Sequence, residues 1–244
     1  MRSRSATSLA TAAWRPRTTT RSFTATTAAR QQPSLTVLIM GPPGGGKGTI
    51  SKKILRDFKF GHLSTGDVLR ENVRAGTPLG VEAKSYMDSG SLVPDELMVQ
   101  LVLDEVKGGG YDQLLLDGFP RTIPQAETLG AHIAVDMALN LNVPTETIVE
   151  RISNRWIHAG SGRVYAYDYN PPKVEGVDDE TGEPLVQRED DKPETVRSRL
   201  AAYDAMTAPL LSFYGDDVVE TFTGTESDVI YPMVKEFLEA KGVH

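Results

Sequence analysis

From Leu35 onward, short apolar runs alternate with amphipathic stretches. Leu35 to Met40 is apolar apart from Thr36 and predicts a buried strand. Further strands are predicted at Gly61 to Leu63, Gln113 to Leu116, Asp136 to Asn142 and Val218 to Phe222. An unbroken run such as Leu114-Leu115-Leu116 suits a strand covered on both faces. Apolar residues recurring at helical spacing predict helices at about 67–75, 79–89, 95–106, 123–131, 144–153, 193–214 and 226–240. Strands and helices alternating in this way imply an α/β fold, a parallel five-stranded sheet with helices on both faces.

Residues 154–191 break the alternation. They hold Gly160, Gly162, Pro171, Pro172, Gly176, Gly182 and Pro184, with tyrosines alternating at 165, 167 and 169. A 38-residue irregular stretch inside a compact α/β domain is improbable as a plain loop. It reads as a small β-rich insert.

Composition adds a division at the N-terminus. The 244 residues carry 26 Lys and Arg against 33 Asp and Glu, a net charge of -7. However, the first acidic residue is Asp57. Residues 1–32 contain six arginines among many Ser, Thr and Ala. The other 20 basic residues therefore face all 33 acids, a balance near -13. An Arg-rich, hydroxyl-rich, acid-free leader without a long apolar core predicts an organelle import peptide, mitochondrial in preference to plastid, disordered or cleaved, whose partner is the import machinery. A basic tail that binds an acidic surface is the alternative. The chain has no cysteine, which excludes disulfides and thiolate chemistry. No apolar run approaches the length needed to span a bilayer.

Gly41-Pro42-Pro43-Gly44-Gly45-Gly46-Lys47-Gly48-Thr49 follows the first strand and opens a helix. Such a loop turns its N–H groups toward phosphates, the helix N-terminus adds positive potential, and Lys47 supplies a mobile charge. Gly48 stands where many loops of this kind place a Ser or Thr ligand for magnesium. Asp117 ends a predicted strand at the sheet edge where ligands bind, and a carboxylate there can hold Mg2+, directly or through water. The fold class is thus a P-loop NTPase-type sheet.

With the later segments included, residues 35–240 resemble the adenylate kinase family of nucleoside monophosphate kinases. The resemblance is carried by Gly41 to Thr49, Leu63-Ser64-Thr65-Gly66-Asp67 with Leu69-Arg70, and Leu116-Asp117-Gly118-Phe119-Pro120-Arg121-Thr122 with Gln125. It continues through Arg155-Trp156-Ile157-His158, Ser161-Gly162-Arg163-Val164-Tyr165, and Arg188-Glu189-Asp190-Asp191 with Arg199. It implies a kinase domain over 33–244, with a core of 33–63, 94–153 and 192–244, a monophosphate-binding segment at 64–93, and a lid at 154–191.

The resemblance assigns Gly44, Gly45, Gly46, Lys47, Gly48, Thr49, Arg151, Arg155, Val164 and Tyr165 to the donor. Thr65, Arg70, Ser91, Leu92, Val93, Gly118, Phe119, Pro120, Arg121, Gln125, Arg188 and Arg199 fall to AMP. It makes Lys47, Asp117, Arg121, Arg155, Arg188 and Arg199 the catalytic set, with magnesium entering on the triphosphate. His158, Ser161, Asp178 and Thr181 occupy the spacing at which related kinases hold zinc, but none is Cys, so a hydrogen-bonded substitute is expected and no zinc.

The Arg155 to His158 run, Leu92-Val93-Pro94-Asp95 and residues 185–195 resemble the GTP:AMP phosphotransferase branch of the mitochondrial matrix, which takes GTP or ITP as donor. ATP:AMP transfer is the alternative. A nucleotide-gated regulator without kinase activity would need a damaged acceptor site, and a silent interaction protein would have lost Lys47 or Asp117. The implied partners are small nucleotides (GTP, ITP or ATP with AMP, GDP and ADP), with no nucleic acid or membrane, and the implied state is a monomer.

Overall fold

The computed structural model describes residues 32–244 except Asp168, so the expected leader lies outside the described residues but for Gln32. Strand β1 (Leu35–Met40) leads through the glycine loop into helix α1 (Lys47–Asp57), and β2 (Gly61–Ser64) into α2 (Thr65–Ala75). Helices α3 (Pro78–Ser89) and α4 (Asp95–Gly109) precede β3 (Gln113–Asp117) and α5 (Ile123–His132). Next come β4 (Met137–Asn142) and α6 (Thr145–Ser153). Strands β5 (Arg155–His158), β6 (Val164–Ala166) and β7 (Leu185–Val186) form the insert. The chain ends with α7 (Pro193–Ala202), α8 (Pro209–Tyr214), β8 (Val219–Thr223) and α9 (Ser227–Ala240).

The main sheet has five strands in the order β2-β3-β1-β4-β8, every pair parallel, as the alternation predicts. Successive side chains on a strand point to opposite faces, so each central strand feeds two cores. Leu38, Met40, Leu114 and Leu116 pack with Val102, Leu129 and Leu210 on one side. Val37, Ile39, Leu115 and Leu139 pack with Ile54, Ile148 and Val234 on the other. The register places Ile39 and Ser64 beside Asp117, which brings the C-terminal ends of β1, β2 and β3 together.

One expected element requires correction. The single helix predicted at 193–214 is three pieces, because residues 203–207 form a π turn between α7 and α8. Ala208 donates to the Tyr203 carbonyl at 2.9 Å, five residues back. Pro209 has no N–H, and its ring crowds the carbonyl four residues earlier, so the α-helical ladder cannot run through this point.

The insert is a three-stranded antiparallel sheet in the order β6-β5-β7. Its hub is Asp178, 2% exposed. The carboxylate accepts from Arg163 at 2.7 and 2.6 Å, from the Tyr165 hydroxyl at 2.9 Å and from the Thr181 hydroxyl at 2.9 Å. These bonds, Arg163 foremost, hold the Asp178 carboxyl well below the usual carboxylate range. His158 pairs with Ser161 Oγ at 2.8 Å and with Glu183 at 2.5 Å. The four residues at zinc-like spacing are thus tied into one hydrogen-bonded cluster. The insert also reaches the body: Tyr169 donates to Asp228 of α9 at 3.0 Å, and its Ala159 and Gly160 carbonyls accept from Arg74 of α2 at 3.1 and 3.2 Å.

Helices α2 and α3 pack tightly because of Gly80, where a Cβ would lie 2.1 Å from the Asn72 carbonyl oxygen. That neighbour is backbone, so Gly80→Ala must push the helices apart. We expect a loss of about 2 kcal/mol, the usual scale of overpacking. Urea unfolding measures it, and an unchanged midpoint would contradict this packing.

Candidate active site

The glycine loop closes over the end of β1. At Gly41, with φ 136°, a Cβ would sit 2.7 Å from the Leu141 carbonyl oxygen, so only glycine lets the loop lie against β4. Gly46 caps α1 in the left-handed conformation, with φ 82°. Lys47, the first residue of α1, donates to the carbonyls of Gly41 at 2.7 Å and Pro42 at 2.9 Å. The helix start and the lysine head therefore face the same loop. Thr49 and Gly48 are exposed at its rim.

Asp117 ends β3 and is 8% exposed. Burial pushes its carboxyl upward, while the charges of Lys47, His62 and Arg121 oppose that shift. Beyond it the chain turns through Gly118, with φ 80°, and a cis Phe119–Pro120 bond. Thr65, at the start of α2, donates to the Gly118 carbonyl at 2.9 Å, and Arg121 Nε donates to the same oxygen at 2.7 Å. Gln125 is 1% exposed and accepts from the Arg121 N–H at 2.7 Å. Val93 and Phe119 are buried, Leu92 and Pro120 at least partly so, and Ser91 is exposed.

The cations converge on this edge. Burial lowers Lys47 to about 8, with Asp117 opposing and Arg121, Arg199 and Arg155 adding to the fall. Burial and repulsion from Arg199 lower Arg121 to about 10. Arg188 is also brought to about 10, by burial and then by Arg70 and Arg155. Its Nε is buried and has no hydrogen-bond partner among the described residues. Arg199 is lowered by burial and by Arg155 and Arg70, against the pull of Asp190. Burial works against Arg155 as well, but its bonds to Asp191 outweigh that and raise it. Lys47, Arg70, Arg121, Arg155, Arg188 and Arg199 thus form one field of like charge.

Two acids hold the field in place. Asp191, 6% exposed, accepts from Arg155 Nε at 2.8 Å and also pairs with its Nη2. Arg199 bonds the Asp190 carboxylate at 2.8 Å. The motif that supplies Arg188 shows these two aspartates in sequence, yet reading it for phosphate contacts passes over their work as counter-charges. Asp67, paired with Arg70 at 2.5 Å, was missed for the same reason.

Three expected residues are placed differently from the rest. Arg151, on α6, acts electrostatically on Tyr169 of the insert. Tyr165 is 4% exposed, with its hydroxyl bonded to Asp178, so its side chain belongs to the core of the insert, and Val164 lies on the insert's surface.

Among the described residues no group of three or more His, Asp or Glu side chains could cage a metal. The residues present fit magnesium carried by a triphosphate: one buried carboxylate, Asp117, stands beside Lys47, and Gly48 offers no side-chain oxygen. No helix among the described residues is long and apolar enough to cross a membrane.

A phosphate loop, a carboxylate at the switch edge of a parallel sheet and a ring of arginines define a phosphoryl-transfer enzyme of the P-loop class. Residues 39–219 match the family model described as adenylate kinase, and the chain belongs to the adenylate kinase family. It is a nucleoside monophosphate kinase, moving a phosphoryl group between nucleotides and AMP.

The lowered Lys47 pKa has a measurable consequence. A bound polyphosphate favours the charged ammonium, so above about pH 8 binding must take up a proton. Triphosphate affinity should fall about tenfold between pH 7 and pH 9, with proton uptake at the higher pH. Calorimetry in buffers of different ionisation enthalpy reads both. A flat profile without proton uptake would contradict the shift.

Proposed function

We propose that the chain transfers the γ-phosphoryl group of GTP, or of ITP, reversibly to AMP in the mitochondrial matrix, giving GDP and ADP. The observation that carries the chemistry is the convergence of Lys47 with five arginines on the edge that holds Asp117. The donor preference rests on the resemblance of Arg155 to His158, Leu92 to Asp95 and residues 185–195 to the GTP-using branch. The location rests on the composition of residues 1–32.

In this reading Gly44 to Thr49 cradle the donor phosphates, with Arg155 closing on them. The resemblance puts Arg151 with the donor phosphates as well, and gives the donor base or ribose to Val164 and Tyr165, through their backbone groups. Thr65, Arg70, Ser91 to Val93, Gly118 to Arg121, Gln125, Arg188 and Arg199 receive AMP. Residues 64–93 are the monophosphate-binding segment and 154–191 the lid.

An oxygen of the AMP phosphate forms a bond to the γ-phosphorus as the bond from that phosphorus to the β–γ bridging oxygen breaks. The electron pair leaves with the diphosphate. The attacking oxygen is already ionised, so no general base is needed. Lys47 and the arginines offset repulsion between two polyanions and the charge of the transferred group. A guanidinium can grip two phosphate oxygens with its planar fork and so help to fix the line of attack, while the bonds of Arg155 and Arg199 to Asp191 and Asp190 hold those two arginines in place. Asp117 would hold the magnesium carried in on the triphosphate, and that ion would supply further charge neutralisation. Closure of the lid excludes water, which would otherwise compete with AMP.

A coupled assay of ADP formed from AMP with GTP, ITP or ATP tests the donor. We expect GTP and ITP to exceed ATP, Lys47→Met to abolish transfer from every donor, and Arg121→Ala to impair AMP use above all. ATP turnover equal to or above GTP turnover would assign ATP as the donor, and tight nucleotide binding without turnover would favour a regulator. A reporter fused behind residues 1–32 should accumulate in the mitochondrial matrix, and a cytosolic reporter would refute the import reading.

A further inference from the structure

We propose that Asp95 is a positioning residue that fixes which way round the Gln125 carboxamide faces, and thereby makes the acceptor site select adenine over a 6-oxopurine. The proposal rests on the reading that Gln125 meets the base of the acceptor nucleotide.

Asp95, Thr122 and Gln125 form a closed ring of hydrogen bonds, to which the Arg121 N–H is attached. The Gln125 amide nitrogen donates to Asp95 Oδ1 at 2.7 Å, and its amide oxygen accepts from the Arg121 N–H at 2.7 Å. The other Asp95 oxygen accepts from the Thr122 hydroxyl at 2.9 Å, and that hydroxyl accepts from the Gln125 N–H at 3.3 Å. Asp95 opens α4 directly after the turn at 91–94, and Gln125 lies in the first turn of α5, so the ring joins two elements across the acceptor side.

The two partners of the amide differ in kind. An ionised carboxylate only accepts, and a backbone N–H only donates. Turned over, the Gln125 amide would face its NH2 toward the Arg121 N–H and its oxygen toward the Asp95 carboxylate. Both contacts are repulsive, so one orientation remains. A carboxamide has two N–H groups and two lone pairs on oxygen, so one donor and one acceptor remain on Gln125 for a ligand, in fixed order.

Adenine and hypoxanthine present opposite patterns at the same atoms. Adenine offers a donor at the 6-amino group and an acceptor at N1. Hypoxanthine offers an acceptor at the 6-oxo group and a donor at N1. An amide free to turn can satisfy either base, whereas a fixed one is complementary to only one of them. A site whose polar groups are committed in advance discriminates strongly, because the wrong base leaves buried groups unpaired. With Asp95 removed, the Arg121 N–H alone holds the amide, and the turned form no longer opposes a carboxylate.

The test compares kcat/KM for AMP and inosine monophosphate in the full chain. Asp95→Ala should lower the AMP preference about tenfold, chiefly through the acceptor KM. Asp95→Asn, which keeps an acceptor oxygen toward Gln125, should restore most of it. If Asp95→Ala does not fold, Asp95→Ser gives the same readout. An equal loss with both acceptors, the preference unchanged, would make Asp95 merely structural and overturn the proposal. Gln125→Leu separates the two layers. If it leaves the AMP KM unaltered, the reading of Gln125 as a base contact fails. If it raises that KM while Asp95→Ala leaves the preference intact, only the role of Asp95 fails.

Discussion

The structure depends on holding like charges together at one sheet edge. Burial makes the charge of these groups costly, and repulsion among Lys47, Arg70, Arg121, Arg155, Arg188 and Arg199 adds to that cost, which is why Lys47, Arg121, Arg188 and Arg199 are all displaced downward. A surface could disperse such groups, but a phosphoryl-transfer cleft cannot. A polyphosphate is the complementary charge for this arrangement, so the repulsion stored among the cations becomes binding free energy for the substrate. An acidic chain can therefore hold two polyanions, because six of its positive groups are gathered at one edge of the sheet.

The surrounding framework restrains that repulsion. Asp190 and Asp191 take Arg199 and Arg155, and Asp117 faces Lys47. The π turn contributes as well: Thr207 within it donates to the Arg121 carbonyl at 2.9 Å, so the irregularity between α7 and α8 pins the loop that carries a key arginine. Irregular helical turns of this kind often mark functional positions.

The sheet and both helical layers were legible because short, mostly apolar runs mark β1, β3 and β4 between stretches of helical spacing. Lys47, Thr65, Arg121 and the later arginines were legible because a loop, a turn and a helix start each leave a local signature. The kink at 203–207 was not read, although Pro209 announces it, because the flanking residues keep helical spacing. The partners of the arginines were harder to see. Asp191 lies 36 positions from Arg155, and no local pattern links an acid to a cation that far away. The ring through Asp95, Thr122 and Gln125 joins α4 to α5, and in sequence Asp95 reads only as an ordinary acid in the first turn of a helix.

One contact couples helix α2 to the β insert. Arg74 of α2 donates to the Ala159 and Gly160 carbonyls of the insert. Neither element can move away from the other without giving up these bonds, so a displacement of the insert costs hydrogen bonds made by α2 and the reverse. A single arginine thereby makes the strength of one junction a property of two segments 85 residues apart.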